Sequence, residues 1–170
     1  RLRQLNADLR RQGLIDELLD QERDPSRLDP SGEVLKGEKY TILDTRTDDF
    51  DTVRAKSQAE DAIVTYPNLA CMVGLFDYNP PAILDALRAN GKIGQIKVVA
   101  FDEREETLQA IASGECHATI VQDPYNYGYK SIELLAKLCR GDRSMLPTGD
   151  EKLIDIHPRK IGKAEVDEFW

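Results

Sequence analysis

The chain has 170 residues, 41% of them hydrophobic and 32% charged, enough to bury the core of one domain or of a domain plus a fragment. A formal net charge of -8 and an isoelectric point near 4.9 argue against a nucleic-acid-binding surface, which needs clustered Lys and Arg. No apolar run approaches the ~18 residues of a membrane span; the chain opens at Arg1 with no Met, so a missing N-terminus is expected and export stays open.

Residues 2 to 19 read as a helix, with Leu2, Leu5, Leu9, Leu14, Leu18 and Leu19 at roughly helical spacing and Gly13 as an interruption. Residues 20 to 38 hold Pro25, Pro30, Gly32 and Gly37 among charges and read as a solvated excursion. KYTILD, at Lys39 to Asp44, reads as a strand. An acidic turn from Thr47 to Asp51 follows, with Asp51 placed to cap a helix over 52–65 whose core positions are Val53, Ala59, Ala62 and Ile63.

The next strand spans Leu69 to Leu75, and Pro80-Pro81 open a helix to Ala89 that Gly91 stops. IKVVAF, at Ile96 to Phe101, is a further strand. A helix containing Thr107 to Ala112 ends at Gly114, and His117 to Val121 is another strand. Asp123-Pro124 opens a long helix to about Leu138. Lys152 to Trp170 holds an extended piece, LIDIHP, and a terminal helical turn. A β-α unit about every 25 residues predicts an α/β fold with a doubly wound sheet, its four strands all parallel and its crossovers right-handed.

In such a sheet, ligands sit outside the carboxyl ends of the strands. Three strand ends carry polar or aromatic residues here: GLFDYN at Gly74 to Asn79, Asp102, and Gln122. These loops are expected to face one crevice. Cys71, Cys116 and Cys139 make an odd count without CxxC spacing and read as reduced thiols, buried as small hydrophobes. With a flavodoxin-like strand order, Cys71 and Cys116 lie on strands separated by a third, which bars a disulfide. His117 and His157 have no metal partner at useful spacing, and no metal or cofactor is expected.

GLFDYN, VVAFDE at Val98 to Glu103, TIVQDPYNYGY at Thr119 to Tyr129, and NADLRRQG at Asn6 to Gly13 resemble bacterial periplasmic sugar-binding proteins of the ribose- and galactose-binding type, which feed ABC importers. The resemblance covers nearly the whole chain but only the second half of such a protein. It implies a Rossmann-like lobe of a two-lobed binding protein. Residues 1–122 would be the C-terminal ligand-binding lobe, 123–150 a helix crossing to the absent N-terminal lobe, and 151–170 the return crossover and C-terminal segment. On that assignment Ile132, Leu134, Leu135 and Leu138 lack their usual cover.

The resemblance also implies a site for a monosaccharide or related polyol. The Arg three residues before the helix glycine is Arg10, the Asp ending the strand is Asp102, and the Gln of the hinge strand is Gln122. Relatives show an Asn-Asp pair after the second strand, where this chain has Phe76-Asp77-Tyr78-Asn79; Asp77 and Asn79 are the polar candidates, and Phe76 or Tyr78 would stack on a sugar ring. The implied partner is the permease of the transporter, the implied location the periplasm or the cell envelope, with membrane contact only through the transporter or a lipid anchor. Read without the resemblance, Asn79 before Pro80 fits an N-cap, Asp102 with Glu105 fits a capping box, and Arg10 fits a solvated helix face.

A second reading, the effector-sensing core of a LacI-type transcriptional regulator, resembles the same fold and would need a DNA-binding segment upstream. An enzyme is not expected: GxSxG, HExxH, the P-loop and GxGxxG motifs are absent. The acidic turn at Asp48, Asp49 and Asp51 lacks the glycine and terminal Glu of a calcium loop.

Overall fold

A computed structural model describes residues 4–147 and 154–169. Helix α1 (Leu5–Leu18) comes first, then strands β1 (Leu35–Lys36) and β2 (Thr41–Ile42), helix α2 (Thr52–Thr65), strand β3 (Cys71–Val73), helix α3 (Asn79–Ala89), strand β4 (Lys97–Phe101), helix α4 (Glu105–Ser113) and strand β5 (Ala118–Val121). Helix α5 (Pro124–Cys139), strand β6 (Arg159–Gly162) and helix α6 (Val166–Phe169) complete the described chain.

The main sheet runs in the order β3-β4-β5-β6. β3, β4 and β5 are parallel, with Met72 opposite Val98 and Ala100 opposite Thr119. These three strands and their helices form the doubly wound unit expected from the spacing. Cys71 enters β3 and Cys116 precedes β5, with β4 between these strands, and all three cysteines are free thiols. Cys116 is buried, whereas Cys71 and Cys139 are exposed, the reverse of the burial expected for them.

Two expectations about strands fail. Residues 41–42 do not join the parallel sheet; β2 pairs antiparallel with β1 in a separate hairpin, closed by the Gly37 amide donating to the Tyr40 carbonyl at 2.9 Å. A partner seven residues away closes a far shorter loop than a partner across the sheet, so the local pairing wins. The fourth strand of the main sheet is instead β6, which runs antiparallel to β5 with Val121 opposite Arg159. The described part of LIDIHP, 154–158, precedes this strand without belonging to it; Leu153, like Leu2 and Trp170, lies outside the described residues.

Residues 20 to 38 are largely solvent-exposed, as expected, but polar contacts fasten them to α1. Arg11 donates from Nε to Thr45 Oγ1 and from its two terminal nitrogens to the carbonyls of Asp29 and Pro30, at 2.6 to 2.9 Å. Gln12 bonds Asp16 and Asp29 at 2.7 Å each, and Arg27 pairs with Asp16. Arg11, Gln12 and Asp16 are buried. Buried polar groups of this kind stay satisfied only as a network, which fastens the segment to α1.

The helices form where their local chemistry allows. The Asp51 carboxylate accepts from the amides of Val53 and Arg54 and starts α2, whose Ala55, Ala59 and Ile63 recur every four residues on the buried face. β3 leads into α3 through Gly74, where a Cβ would lie 2.9 Å from Asn79 Cβ and from the Pro80 ring. Only glycine lets strand and helix pass this close. α4 ends at Gly114, whose φ of 84° is the left-handed cap that glycine adopts freely.

The core gathers Leu84 and Leu87 of α3, Val98 and Ala100 of β4, Ile111 of α4, Val121 of β5, Ile161 of β6 and Val166 of α6. Each fully buried aliphatic side chain contributes roughly 1.5–3 kcal/mol. α5 takes no part: none of its residues is buried, and Ile132 and Leu135 are 67% and 54% exposed.

Candidate functional site

At the carboxyl ends of β3, β4 and β5 three separate elements meet on one carboxylate. The Asp102 side chain accepts from both terminal nitrogens of Arg10 at 2.9 Å in a bidentate pair, and from Gln122 Nε2 at 3.1 Å. Arg10 also donates to the Leu75 carbonyl at 2.6 Å, so it ties the end of β3 to the end of β4. The Arg10 and Asp102 side chains are 11% and 20% exposed, a partly dry setting in which a bidentate charge-assisted pair is geometrically specific. The Arg10 guanidinium lies 4.8 Å from the Phe101 ring centre and 5.6 Å from that of Phe76, within cation–π range of both.

Asp102 does not cap α4. The residue before that helix is Arg104, and it makes no side-chain capping bond. Instead Asp102 holds φ at 68°, a left-handed conformation uncommon outside glycine but accessible to Asp. Its amide donates to the Ile120 carbonyl at 2.9 Å, and its carbonyl accepts from Thr119 Oγ1 at 2.6 Å. The neighbouring strand β5 thus fixes the backbone that aims the carboxylate.

The loop from β3 to α3 is locked differently. Asn79 is the first residue of α3, not its N-cap; its Oδ1 accepts from the Phe76 amide at 3.0 Å and its Nδ2 donates to Asp48 at 2.7 Å. The Tyr78 hydroxyl donates to the other Asp48 oxygen at 2.6 Å. Burial, reinforced by this bond to a carboxylate, pushes the Tyr78 hydroxyl well above the usual tyrosine range, so it stays a donor. The rings of Phe76 and Tyr78 are parallel at 6.3 Å, and Phe50 packs against them at 5.6 and 6.2 Å.

The residues anticipated from sequence therefore fall into two linked groups. Arg10 and Gln122 both donate to Asp102, while Phe76, Tyr78 and Asn79 form the adjoining aromatic wall, joined to the first group by the Arg10–Phe76 contact. Asp77 stands to the side, 55% exposed and 3.9 Å from Arg104. Two residues of the site were not foreseen. Asp48 and Phe50 come from the turn before α2, where Asp49 and Phe50 hold φ values of 54° and 63°. A bulky residue in that region is an outlier, and such strain concentrates at functional positions. Their only signal in sequence was an acidic turn following a strand. Among the described residues no group of three or more His, Cys, Asp or Glu side chains could hold a metal ion. A small cleft lined by Ile96, Cys116, His117 and Lys163 lies at the opposite ends of β4 and β5, away from this cluster.

Comparison with known proteins bears on this arrangement. The family model described as "Periplasmic binding protein domain" matches residues 2–143. The ribose import binding protein RbsB of Escherichia coli K12 is 25% identical over 111 residues, which are 65% of this chain and 37% of that protein. The D-allose-binding periplasmic protein of the same organism is 23% identical over 100 residues, 59% of this chain and 32% of its own length. The chain thus spans well under half the length of these relatives. Among solved structures, a solute-binding protein of an ABC transporter from Agrobacterium vitis, bound with alpha-D-tagatopyranose, is 27% identical with a TM-score of 0.63, over 75% of this chain and 41% of that one. GanP, a glucose-galactose binding protein from Geobacillus stearothermophilus, shares the fold with a TM-score of 0.60 at 20% identity, over 69% of this chain and 40% of its own. With a match over residues 2–143 and the same parallel α/β lobe, this chain belongs to the periplasmic binding protein family.

Proposed function

We propose that this chain supplies the sugar-binding lobe, over residues 1–122, of the solute-binding component of an ABC-type importer. The ligand is a monosaccharide or related polyol, the partner is the transporter's permease, and the place of work is the periplasm or outer cell envelope. The observation that carries the reading is the Arg10–Asp102–Gln122 cluster at the strand ends, flanked by aromatic rings. A sugar offers hydroxyls that both donate and accept, together with a weakly apolar ring face. Asp102 supplies acceptor oxygens, Arg10 has N–H groups beyond those bound to Asp102 and Leu75, and the Gln122 carbonyl accepts. Phe50, Phe76 and Tyr78 offer the ring surface. Helix α5, with its apolar residues exposed, is read as the element crossing to a second lobe, and the segment returning through β6 as its counterpart.

Calorimetric titration of the intact protein with pentoses, hexoses and cyclitols tests the reading. Asp102→Ala should weaken sugar binding at least ~10-fold, since a hydrogen bond to a charged group is worth roughly 1.5–3 kcal/mol. Unchanged affinity in a folded Asp102→Ala protein would place the binding site elsewhere.

A further inference from the structure

We propose that Asp48 is a positioning residue for ligand binding: its one carboxylate sets all three rings of the aromatic wall. The proposal rests on the sugar-binding reading above, in which Phe50, Phe76 and Tyr78 offer the ring surface. It concerns how the rings are held and requires no particular orientation of the sugar.

Asp48 belongs to the turn before α2, whereas Phe76, Tyr78 and Asn79 belong to the segment joining β3 to α3. Bonds on its two oxygens tie these segments together. Oδ1 accepts from the Phe50 amide at 3.0 Å and from the Tyr78 hydroxyl at 2.6 Å. Oδ2 accepts from Asn79 Nδ2 at 2.7 Å. Asn79 Oδ1 then accepts from the Phe76 amide at 3.0 Å. Each ring-bearing residue is thus reached from Asp48: Phe50 by its backbone, Tyr78 by its hydroxyl, and Phe76 through Asn79. The acceptor is a carboxylate, so the bonds it takes are stronger than those between neutral groups.

Burial does less to hold the wall. Phe50 is 52% exposed, and its φ of 63° is the left-handed conformation that a bulky residue rarely adopts. The bond from its amide to the carboxylate two residues earlier is an Asx turn, which fixes that backbone locally. Phe76 and Tyr78 are only half-buried. With Asp48 in place the three rings are set before a ligand arrives. Without it they must be ordered on binding, which weakens affinity by roughly 2- to 10-fold for each side chain immobilised.

The donors and acceptors allow a test by polarity exchange. In Asp48→Asn, whichever way the new amide turns, one N–H group faces another, the Asn79 amide or the Phe50 amide. Combining Asp48→Asn with Asn79→Asp reverses one bond and restores every acceptor: the amide at 48 donates to the new carboxylate, whose second oxygen still takes the Phe76 amide. The readouts are calorimetric titration of the intact protein with D-ribose, D-xylose, D-allose, D-galactose, D-glucose and myo-inositol, and amide exchange of the unliganded protein by NMR. In Asp48→Asn the tightest of these ligands should bind roughly 2- to 10-fold more weakly, with faster exchange at the Phe50 or Phe76 amide. Adding Asn79→Asp should recover most of both. Tyr78→Phe keeps the ring but drops the hydroxyl; it should weaken the same ligand within that range and stands in if Asp48→Asn fails to fold. Unchanged affinity in these folded variants, even with lowered stability, overturns the proposal and leaves the sugar reading in place. So does a loss in Asp48→Asn that Asn79→Asp deepens instead of reversing. Binding of none of these ligands by the parent protein overturns the sugar reading and this proposal with it.

Discussion

Helices α3 and α5 both carry proline in their first turn after a strand end, and both carry an apolar stripe. α3 buries Pro80, Ala82, Ile83, Leu84, Ala86 and Leu87, whereas α5 buries nothing. The difference shows what an amphipathic pattern does and does not specify. It sets the helix and the face to be covered, but the covering surface is a separate fact. α3 is held by burial against the sheet and α2. α5 is held by its own short-range chemistry: the Asp123 carboxylate accepts from the Asn126 amide, Glu133 pairs with Lys130 at 3.0 Å and Lys137 at 4.0 Å, and Tyr125 stacks on Tyr129. Isolated helices of this length are marginal in water, so such local terms decide how often α5 opens.

The largest expected effect separates the two helices directly. Leu84→Ala in α3 should cost ~2–5 kcal/mol in urea unfolding, because it empties a fully buried site. Leu135→Ala in α5 should cost less than about 0.5 kcal/mol in this chain. A loss at Leu135 as large as at Leu84 would mean that α5 is covered in the protein measured, and the contrast would collapse.

A smaller effect is expected from the cap. Asp123→Ala should speed amide hydrogen exchange in the first turns of α5 by roughly 2- to 30-fold while leaving α3 protected. The same group predicts a pH dependence. Hydrogen bonds from Asn126, the side-chain bond first and the backbone bond next, hold the Asp123 carboxyl below the usual carboxylate range. Its contribution is therefore complete above the unfolded aspartate value of about 3.9 and is lost as pH falls through the lowered folded value. Protection of α5, corrected for the intrinsic exchange rate, should fall below about pH 4 in the parent and fall less in Asp123→Ala, where only the Glu133 pairs still titrate. The smallest effect is electrostatic: Glu133→Ala should weaken α5 by ~0.2–0.5 kcal/mol per lost pair at low salt and change nothing at high salt.

The same division runs through what the sequence made legible. α2 was readable in its start and in part of its face, because Asp51 marks the cap and Ala59 and Ile63 the buried side, whereas Val53, expected in the core, is 78% exposed and Ala55 takes its place. The strand ends were readable because β-α spacing and Gly or Pro signals are local. The pairing of β2 with Leu35–Lys36 was not, since KYTILD alternates equally well for either partner. Nor was the antiparallel sense of β6, whose direction depends on where the chain returns from rather than on RKIG itself. At the site, Asp102 and Gln122 were marked by their place at strand ends, whereas Arg10 was found through resemblance; read alone, Arg10 fitted a solvated face and Asp102 also fitted a cap. Asp48 and Phe50 stayed hidden because their role arises from two left-handed residues in a turn, and only Gly would have announced that conformation.

The exposed thiol on the last residue of α5 gives this helix a native reporter. Cys139 and Cys71 are both exposed, one on α5 and one at the edge of the sheet, whereas Cys116 is buried with its thiol against the carbonyls of Val98 and Ala118. Burial pushes the Cys116 thiol up to about 11, so it stays silent toward alkylating dyes at neutral pH. A dye added to the unmodified protein divides between two positions. Whatever settles on α5 slows labelling of Cys139 while Cys71 keeps time, and the ratio of the two, read by peptide mass, reports docking without any engineered tag.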